Sequence, residues 1–274
     1  MSTDDKSDDR YTVPALARGL QLLTQFSREE RELSGAELSR RLGLPRASVF
    51  RMLYTLEQGG FVERADDGVS YRLGLAVLRL GFELLAAMDL TEHGRPVIEA
   101  LRDQCGYSAH IVVRDATQVV FVAKAAGRSA LFQSIQVGAR LPAHATVLGR
   151  LLMADLDAQA LKTLYPDEPL QAFTPRTPTS RAQLKALIDE DRARGYGVSM
   201  GGFETGISTV AAPVINARGA VIAAISIAVP AQRIDDAVLP GLVEQVRAAA
   251  GQLSDRIRLA PTSGSEHPKI RMNS

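Results

Sequence analysis

The first third of the chain begins with a helix-like hydrophobic pattern. Val13, Leu16, Leu20 and Leu23 recur at steps of three and four residues, which is the spacing of one stripe along an α-helix. Phe26 closes the last turn of this pattern. The pattern predicts a first helix with one apolar stripe.

Two more helices are predicted, with only Gly43 and Leu44 between them. The earlier one is predicted to begin at Ser34 with a capping box. In this motif the Ser34 hydroxyl accepts from the backbone N–H of Glu37, and the Glu37 carboxylate accepts from the backbone N–H of Ser34. Pro45 suits the first position of the later helix, since its φ is already helical and its missing N–H is not needed there. Two helices joined by so short a turn indicate a helix-turn-helix.

The later helix of this pair has two distinct faces. Its apolar face, at 100° per residue, is predicted to pack against the first helix and consists of Val49, Met52, Leu53 and Leu56. The opposite face and the first turn carry the side chains expected to read bases or hold phosphates, namely Arg46, Ala47, Ser48, Phe50, Arg51 and Tyr54. Arg40, Arg41 and Arg64 are further candidates for phosphate contacts. The alternative is that these arginines form only a solvated surface.

A β-hairpin follows the three helices. Residues 61–64 alternate as a strand, Asp66, Asp67 and Gly68 supply turn chemistry, and residues 70–73 return as a second strand. Three helices followed by a hairpin are typical of a winged helix-turn-helix, which we assign to residues 11–73.

Residues 74–89 predict a linker helix with a wide apolar arc. Leu75, Leu78, Phe82 and Leu85 lie at helical spacing, and the arc is widened by Val77, Leu80 and Leu84. A helix that is apolar over so much of its circumference needs a partner. We expect that partner to be the same helix of a second protomer, with packing inside its own chain as the alternative.

The remaining two thirds mix strands with helices. Strands are predicted at residues 109–113, 119–123, 131–137, 206–214 and 220–229, and helices at residues 91–104, 144–152, 157–165, 180–194 and 235–258. Because strict βαβ alternation is lacking, the pattern favours an α+β domain on an antiparallel sheet over residues 90–260. Residues 1–10 and 261–274 are polar and aperiodic, and are predicted to be flexible tails.

Composition narrows the class of protein. The chain has 274 residues, 46% of them hydrophobic, which is enough for two domains with their own cores. Its 32 Lys and Arg nearly balance 31 Asp and Glu, so DNA binding has to reside in one local segment. One cysteine, Cys105, excludes an internal disulfide and fits a reducing compartment. With no apolar run long enough to cross a bilayer, we expect a cytoplasmic protein without membrane partners.

Motifs of catalysis and of metal or cofactor binding are missing from the sequence. There is no nucleophile elbow, P-loop, dinucleotide fingerprint or paired-histidine metal motif, so neither a metal nor a cofactor is expected. His144 stands at the start of a predicted helix whose amides are suited to an anion, with capping of that turn as the alternative role. Thr209 and Ser226 interrupt apolar strands, and buried hydroxyls need partners, either a ligand or the neighbouring backbone.

Five segments together resemble the IclR family of bacterial regulators, over about residues 14–258. Residues 42–53 (LGLPRASVFRML) lie in the helix-turn-helix, and residues 138–150 (GARLPAHATVLGR) are similar to the family's G-x-x-x-P-x-H-A-x-x-x-G-K segment. Three shorter matches follow in order at residues 194–198 (RGYGV), 206–214 (GISTVAAPV) and 224–227 (AISI). A helix-turn-helix alone is common, whereas four further motifs in register are specific to one family.

The resemblance implies a GAF-like sensor domain that binds a small-molecule effector. The expected effector-binding residues are Ala130, Gln133, Ser134, Leu141, His144, Thr146, Val147, Leu148, Ser199, Ile207, Thr209 and Ser226. Three departures fall near this expected pocket: residues 199–203 replace an acidic run, Thr209 replaces a frequent Cys, and Ala228 replaces the second Ser of a Ser-x-Ser strand. They bear on which effector binds.

The expected function is therefore that of a transcriptional regulator, either repressor or activator. It would bind a palindromic double-stranded operator as a homodimer or a dimer of dimers, and respond to a small organic or aromatic acid. An enzyme using Ser208, Ser226 or His144 is a second hypothesis, disfavoured because no base or orienting group is visible around them. A constitutive architectural protein, whose C-terminal domain only dimerises, is the third.

Overall fold

The structure is a computed structural model, which describes residues 12–27, 29–86, 88–127 and 135–259. The chain divides into two compact units between residues 87 and 88. The two predicted tails, residues 1–10 and 261–274, lie outside the described residues.

The described part of the N-terminal unit contains four α-helices and a small sheet. The helices are α1 (Pro14–Leu23), α2 (Gly35–Leu42), α3 (Arg46–Gln58) and α4 (Leu75–Ala86). The strands are β1 (Leu33–Ser34), β2 (Val62–Arg64) and β3 (Ser70–Leu73), which form an antiparallel sheet in the order β1-β3-β2. Strands β2 and β3 are the predicted wing, and β1, which the sequence pattern did not reveal, pairs with its outer edge.

The turn between α2 and α3 has the local chemistry that a helix-turn-helix requires. The Ser34 hydroxyl accepts a hydrogen bond from the Glu37 N–H at 3.2 Å and caps α2. Gly43 ends that helix at φ 63°, a left-handed conformation that glycine adopts without steric cost. Pro45 precedes the first residue of α3 instead of occupying the predicted first position, because its ψ of 138° is extended. Its carbonyl accepts from Ser48 and Val49 and so starts the helix.

The core of this unit lies beneath α3. The buried residues share contacts around that helix and are Leu22, Phe26, Leu33, Leu38, Val49, Leu53, Val62 and Tyr71. The stripe on α1 was predicted correctly as helical, but Val13, Leu16 and Leu20 are exposed within this chain. Helix α1 packs through Leu22 and Leu23, and Phe26 joins the core from beyond its end.

Helix α4 is apolar and largely uncovered within its own chain. Five of its apolar side chains are at least 53% exposed, namely those of Leu75, Leu78, Leu80, Phe82 and Leu84. The predicted linker helix is shorter than residues 74–89, since α4 ends at Ala86 and a separate helix begins at Asp89. Pairing of this helix with its copy in a second protomer stays a prediction.

The C-terminal unit is built on one six-stranded antiparallel sheet. Its strands are β4 (Ser108–Asp115), β5 (Gln118–Ala125), β6 (Arg140–Pro142), β7 (Gly197–Met200), β8 (Ile207–Ile215) and β9 (Val221–Pro230), in the order β6-β5-β4-β9-β8-β7. Its helices are α5 (Asp89–Cys105), α6 (Val147–Leu152), α7 (Ala158–Leu164), α8 (Arg181–Arg194) and α9 (Leu239–Leu259). The predicted α+β class is confirmed. Strand β7 was not foreseen, and residues 131–134 of a predicted strand lie outside the described residues.

Helices cover both faces of this sheet. Helices α5 and α9 pack on one face, where Gly94 lets Ile111 and Leu253 approach closely. On the other face, Val112, Ala211 and Ala224 join a core with α6, α7 and α8. Because neighbouring residues of a strand point to opposite faces, Ile111 and Val112 serve different cores. None of the helices in the described ranges is both long and apolar enough to cross a membrane.

Candidate effector cavity and DNA-binding surface

A cavity of about 310 Å³ lies in the C-terminal unit, on the face of the sheet that α6 covers. That volume is at the lower end of the range of small-molecule pockets. The described wall is formed by His110, Phe121, Ile135, Ala139, Leu141, Ala145, Thr146, Val147, Leu148, Ser199, Gly202, Phe203, Glu204, Ile207, Thr209, Ser226 and Ala228. It is therefore mostly apolar, with a few polar groups.

Eight residues that the sequence suggested for effector binding lie together on this wall: Leu141, Thr146, Val147, Leu148, Ser199, Ile207, Thr209 and Ser226. They come from β6, α6 and its cap, β7, β8 and β9, so the sheet and one helix hold the cavity open between them. Ala130, Gln133 and Ser134 lie outside the described residues.

His144 is placed outside the described wall of the cavity, unlike the eight expected residues that line it. Its Nε2 lies 2.9 Å from the carbonyl oxygen of Gln171. The ring packs edge-on against Tyr165 at 5.7 Å between centroids, and Phe173 lies on another side at 6.0 Å. Nor does His144 cap α6, because Thr146 occupies that position. The side chain instead anchors the 3₁₀ turn Ala143–Ala145 to the segment that precedes α8.

The hydroxyl groups of the wall are of two kinds. Thr146 and Ser199 accept hydrogen bonds from the N–H groups of Gly149 and Gly202, each at 3.1 Å, and so hold the local backbone. Within the described residues, Thr209 and Ser226 have no such hydrogen bond from their side chains. The hydroxyls of Thr209 and Ser226 are therefore available to hydrogen-bond to a ligand.

His110 was not anticipated from the sequence. It lies on β4, is 2% exposed, and its ring meets Phe121 edge-on at 5.3 Å. Its Nε2 is buried and has no hydrogen-bond partner among the described residues. Burial, together with the charge of Lys124, lowers the pKa of His110 to about 4, so the imidazole is neutral at physiological pH. The one signal in the sequence that could have identified His110 is its position in an apolar strand.

The mouth of the cavity includes the loop between β7 and β8. Phe203 and Glu204 line the cavity from this loop, and Phe203 packs against Phe173 with 5.0 Å between ring centroids. Glu204 is exposed and is the one carboxylate on the described wall. Lysine and arginine are missing from the same described wall, and no group of three metal-binding side chains occurs in the described parts of the chain.

The N-terminal unit presents the predicted reading face of α3 to solvent. Arg46, Ala47, Phe50, Arg51 and Tyr54 are exposed, and Ser48 is half-buried. Phe50 and Tyr54 are each 56% exposed although they are large and aromatic. Exposed aromatic side chains beside arginines are unusual on a surface that meets only water, and they suit contact with base edges.

The three arginines considered for phosphate contacts each have a partner within the protein. Arg41 donates to both Glu30 and Glu37 at 2.6 Å, and Arg40 also donates to Glu37. These two guanidinium groups hold the pKa of Glu37 at about 2. Arg64 donates to Glu57 at 3.2 Å and lies over the ring of Tyr71. Arg46 and Arg51 have no ion pair with a described residue.

Two protein families match adjacent parts of the chain. The IclR helix-turn-helix domain matches residues 15–66, and the bacterial transcriptional regulator IclR C-terminal domain matches residues 82–255. The second match spans more than half of the chain. The protein belongs to the IclR family of DNA-binding transcriptional regulators, which are not enzymes.

Individual relatives agree with this assignment. The chain is 30% identical over 242 residues to the HTH-type transcriptional regulator XynR of Escherichia coli, covering 88% of this chain and 96% of the relative. It is 32% identical over 223 residues to the Pca regulon regulatory protein of Pseudomonas putida, covering 81% and 76%. The crystal structure of an IclR homolog complexed with 4-hydroxybenzoate, from Microbacterium hydrocarbonoxydans, is similar with a TM-score of 0.78 at 26% identity, covering 89% and 99%.

Proposed function

We propose that this protein is a cytoplasmic regulator that binds a palindromic operator as a homodimer or dimer of dimers and that a small organic acid controls it. The observation that carries the effector part is the apolar cavity, in which Thr209 and Ser226 have no partner among the described residues. An aromatic acid of one ring fits the cavity volume and the apolar wall. The complex of the Microbacterium homolog with 4-hydroxybenzoate supports the same class of ligand.

The effector-binding residues we propose are the eight on the described wall, with Ala130, Gln133 and Ser134 kept as candidates from the resemblance. Leu141, Val147, Leu148 and Ile207 would bury the ring or chain of the ligand. Each apolar atom removed from water adds to affinity, at about 25 cal/mol per Å². Thr209 and Ser226 would orient the ligand, because each hydroxyl donates one hydrogen bond and accepts others.

Thermal stability measured against a panel of small acids tests the effector class. A ligand that binds only the folded protein stabilises it by RT ln(1 + [L]/Kd), about 2.7 kcal/mol at a hundredfold excess over Kd. We expect a monocyclic aromatic or short aliphatic acid to raise the melting temperature and to change operator binding. A panel in which acids stabilise no better than their amides would refute this part of the proposal. If the protein still binds operator in that case, the remaining hypothesis is the constitutive architectural protein.

DNA recognition is proposed to depend on α3. Arg46 and Arg51 would contact bases, because both are exposed and neither is held by a carboxylate of the described chain. Ala47, Ser48, Phe50 and Tyr54 lie beside them in the first turn or on the same face. Arg40, Arg41 and Arg64 would contact phosphates from positions fixed by Glu37 and Glu57. Such ion pairs orient an arginine without consuming all five of its N–H donors.

Assembly is proposed to use the apolar surfaces of α1 and α4. Leu78 and Phe82 are 53% and 60% exposed, and Leu16 on α1 is 61% exposed. Leaving these side chains in water is costly, and a self-complementary contact with a second copy would bury them. A two-fold dimer also presents two recognition helices at a fixed spacing, which a palindromic operator requires. Sedimentation of the full chain as a monomer at micromolar concentration would contradict this proposal.

A further inference from the structure

Three polar side chains form a row across adjacent strands on the cavity face of the sheet. His110 on β4 is directly opposite Lys124 on β5, and on its other side it is directly opposite Ser226 on β9. Directly opposite residues of antiparallel strands point to the same face, with their Cβ atoms about 5 Å apart. His110 and Ser226 both line the cavity. The row therefore presents an ammonium, an imidazole and a hydroxyl side by side.

Two members of this row are buried and have bonding capacity left open. The Nε2 of His110 has no partner among the described residues, and the side chain is 2% exposed. Ser226 is 1% exposed. A buried polar atom without a hydrogen bond is unfavourable, so a buried site with open donors is expected to bind a ligand that accepts from them.

Lys124 supplies a positive charge just behind the wall of the cavity. Its Nζ donates to the carbonyl oxygen of Ile135 at 2.6 Å, and Ile135 itself lines the cavity. The same charge helps to keep the His110 imidazole neutral, because it opposes a second positive charge nearby. The field of the ammonium acts through the low-dielectric wall, whether or not one of its N–H groups reaches a ligand.

We propose that Lys124, His110 and Ser226 form the subsite that receives the carboxylate of the effector, an inference that rests on the proposed function. A carboxylate only accepts hydrogen bonds, and both the imidazole N–H and the hydroxyl donate. The ammonium behind the wall supplies the charge compensation that the described wall itself lacks. With the carboxylate at this row, the body of the ligand lies against Phe121 and Val147, and its far end faces the exposed Glu204.

This orientation predicts which molecules the cavity rejects. A neutral amide of the same shape places an N–H₂ group where the row already donates, and gains nothing from the ammonium. The hydroxyl and the neutral imidazole can accept from that group, but the amide then lacks the charge-assisted hydrogen bonds of the carboxylate, which are stronger than neutral ones. The cavity is therefore selective for the acid over its amide, and His110 determines much of that selectivity.

The test compares benzoate with benzamide by isothermal titration calorimetry on the full-length protein. Propanoate and propanamide serve as an aliphatic pair. For the wild type we expect the acid of at least one pair to bind roughly 10- to 100-fold more tightly than its amide. His110→Leu should reduce that ratio substantially by weakening acid binding, and the preference that remains is the contribution of Lys124. His110→Gln keeps a donor and should restore part of the preference, which separates hydrogen bonding from loss of packing.

Lys124 has its own matched pair of variants. Lys124→Met should lower acid affinity and leave amide affinity unchanged, whereas Lys124→Arg should preserve the preference because it preserves the charge. Circular dichroism and operator binding of each variant verify folding. If His110→Leu does not fold, His110→Gln and the two Lys124 variants still test the row.

A pH series tests whether His110 contacts the carboxylate, because a His110 with only a structural role would not make acid affinity depend on pH. A carboxylate beside His110 raises the pKa of the imidazole above about 4, so the complex binds more protons than the free protein. Acid affinity should therefore increase as the pH falls through the raised pKa of His110, and a series from about pH 8 to about pH 5 follows this change while the acid is still ionised. Among the described residues, Lys124 on β5 is the charged group that acts on His110, and Glu204 is the carboxylate on the cavity wall. Glu204→Gln should retain the pH effect and His110→Leu should lose it.

The outcomes separate this inference from the proposed function. Equal affinity for acid and amide in the wild type, or a preference that His110→Leu and Lys124→Met both retain, would overturn the subsite. In the second case the cavity would remain an acid-binding site with the carboxylate elsewhere. Failure of every acid to bind, with operator binding intact, would overturn both the subsite and the proposed effector class.

Discussion

Arg150 on α6 and Asp191 on α8 form an ion pair in the interior of the C-terminal unit, with 2.6 Å between Nε and Oδ2. Their side chains are only 8% and 1% exposed. Arg150 also donates to the carbonyl oxygen of Val198 at 3.2 Å, and Asp191 accepts from Arg194 at 2.8 Å. The pair therefore ties α6, α8 and β7 together. Helix α6 and β7 both contribute to the cavity wall, so the ion pair helps to set its shape.

Removing one member of this pair should strongly destabilise the C-terminal unit. Arg150→Met leaves the Asp191 carboxylate buried without its main partner, and such changes cost about 3–5 kcal/mol. The matched control is Arg194→Met, because Arg194 pairs with the same carboxylate through a side chain that is 38% exposed, and an ion pair screened by solvent contributes about 1 kcal/mol or less. Urea unfolding monitored in the full chain measures both. Equal losses from the two variants would refute the structural role given to Arg150.

Arg46 and Arg51 should control operator recognition. If each makes a bidentate contact to guanine, replacement by Ala costs about 1–3 kcal/mol of binding free energy and relaxes the preference at one base position. Gel-shift titrations against single-base operator variants measure both effects. Arg218→Ala is the control, since Arg218 is an exposed arginine in the turn between β8 and β9 of the other unit. Wild-type operator binding by Arg46→Ala and Arg51→Ala would refute the proposed reading face.

Phosphate contacts should give a different signature. Arg40→Ala or Arg64→Ala should weaken binding to all sequences alike and reduce the slope of log affinity against log salt concentration by about one. Arg41→Ala should in addition disturb α2, because Arg41 bridges Glu30 and Glu37. A change in base preference for Arg40→Ala or Arg64→Ala, with an unchanged salt slope, would contradict the phosphate assignment.

The assembly surface can be tested by introducing charge. Leu78→Glu or Phe82→Glu should yield monomers with weak operator binding, because a carboxylate in a buried apolar interface is strongly unfavourable. Val238→Glu is the matched control, as Val238 is an exposed apolar residue of the C-terminal unit. Analytical ultracentrifugation with and without operator DNA measures the result. Variants of α4 that sediment like the wild type would exclude this helix from the interface.

The sequence predicted faces well where a helix packs within its own chain. On α3, periodicity correctly assigned Val49 and Leu53 to the core and Phe50 and Tyr54 to solvent. On α1 the same reasoning identified the helix, while the stripe of Val13, Leu16 and Leu20 proved to be exposed. Periodicity reports that a face is apolar, but the partner that covers the face is a property of the tertiary or quaternary structure.

The cavity shows a similar limit. Thr209 and Ser226 were suggested because hydroxyls interrupt apolar strands, and because the family motifs cover both. His110 occupies an equivalent position on β4, yet a single histidine in a strand carries no sign of what lies opposite. Only the antiparallel pairing of β4 with β5 and β9 brings Lys124 and Ser226 beside it. Side-chain clusters built from distant strands depend on sheet order, which local patterns do not determine.

The final prediction concerns the response to the effector. Thr209→Val or Ser226→Val should abolish or alter the effector response while leaving operator affinity intact. Both hydroxyls lie in the C-terminal unit, whereas α3 lies in the other, so they reach DNA only through a shift between conformations. Val preserves the shape of Thr209, and at Ser226 it extends into the cavity that Ser226 lines. Both variants should therefore fold.

The size of the effect follows from population shifts. Reversing a conformational ratio from 1:99 to 99:1 requires about 5.5 kcal/mol of differential ligand affinity. Loss of one hydrogen bond to a carboxylate removes about 1.5–3 kcal/mol of binding, a large part of that difference if the bond forms in one state only. Operator binding with and without the acid found by the thermal screen, together with calorimetry of that acid, measures the response. Thr163→Val, which changes an exposed threonine on α7, is the control. A wild-type response in both cavity variants would show that other groups of the protein orient the effector. The hydroxyls of Thr209 and Ser226 would then have only a structural role.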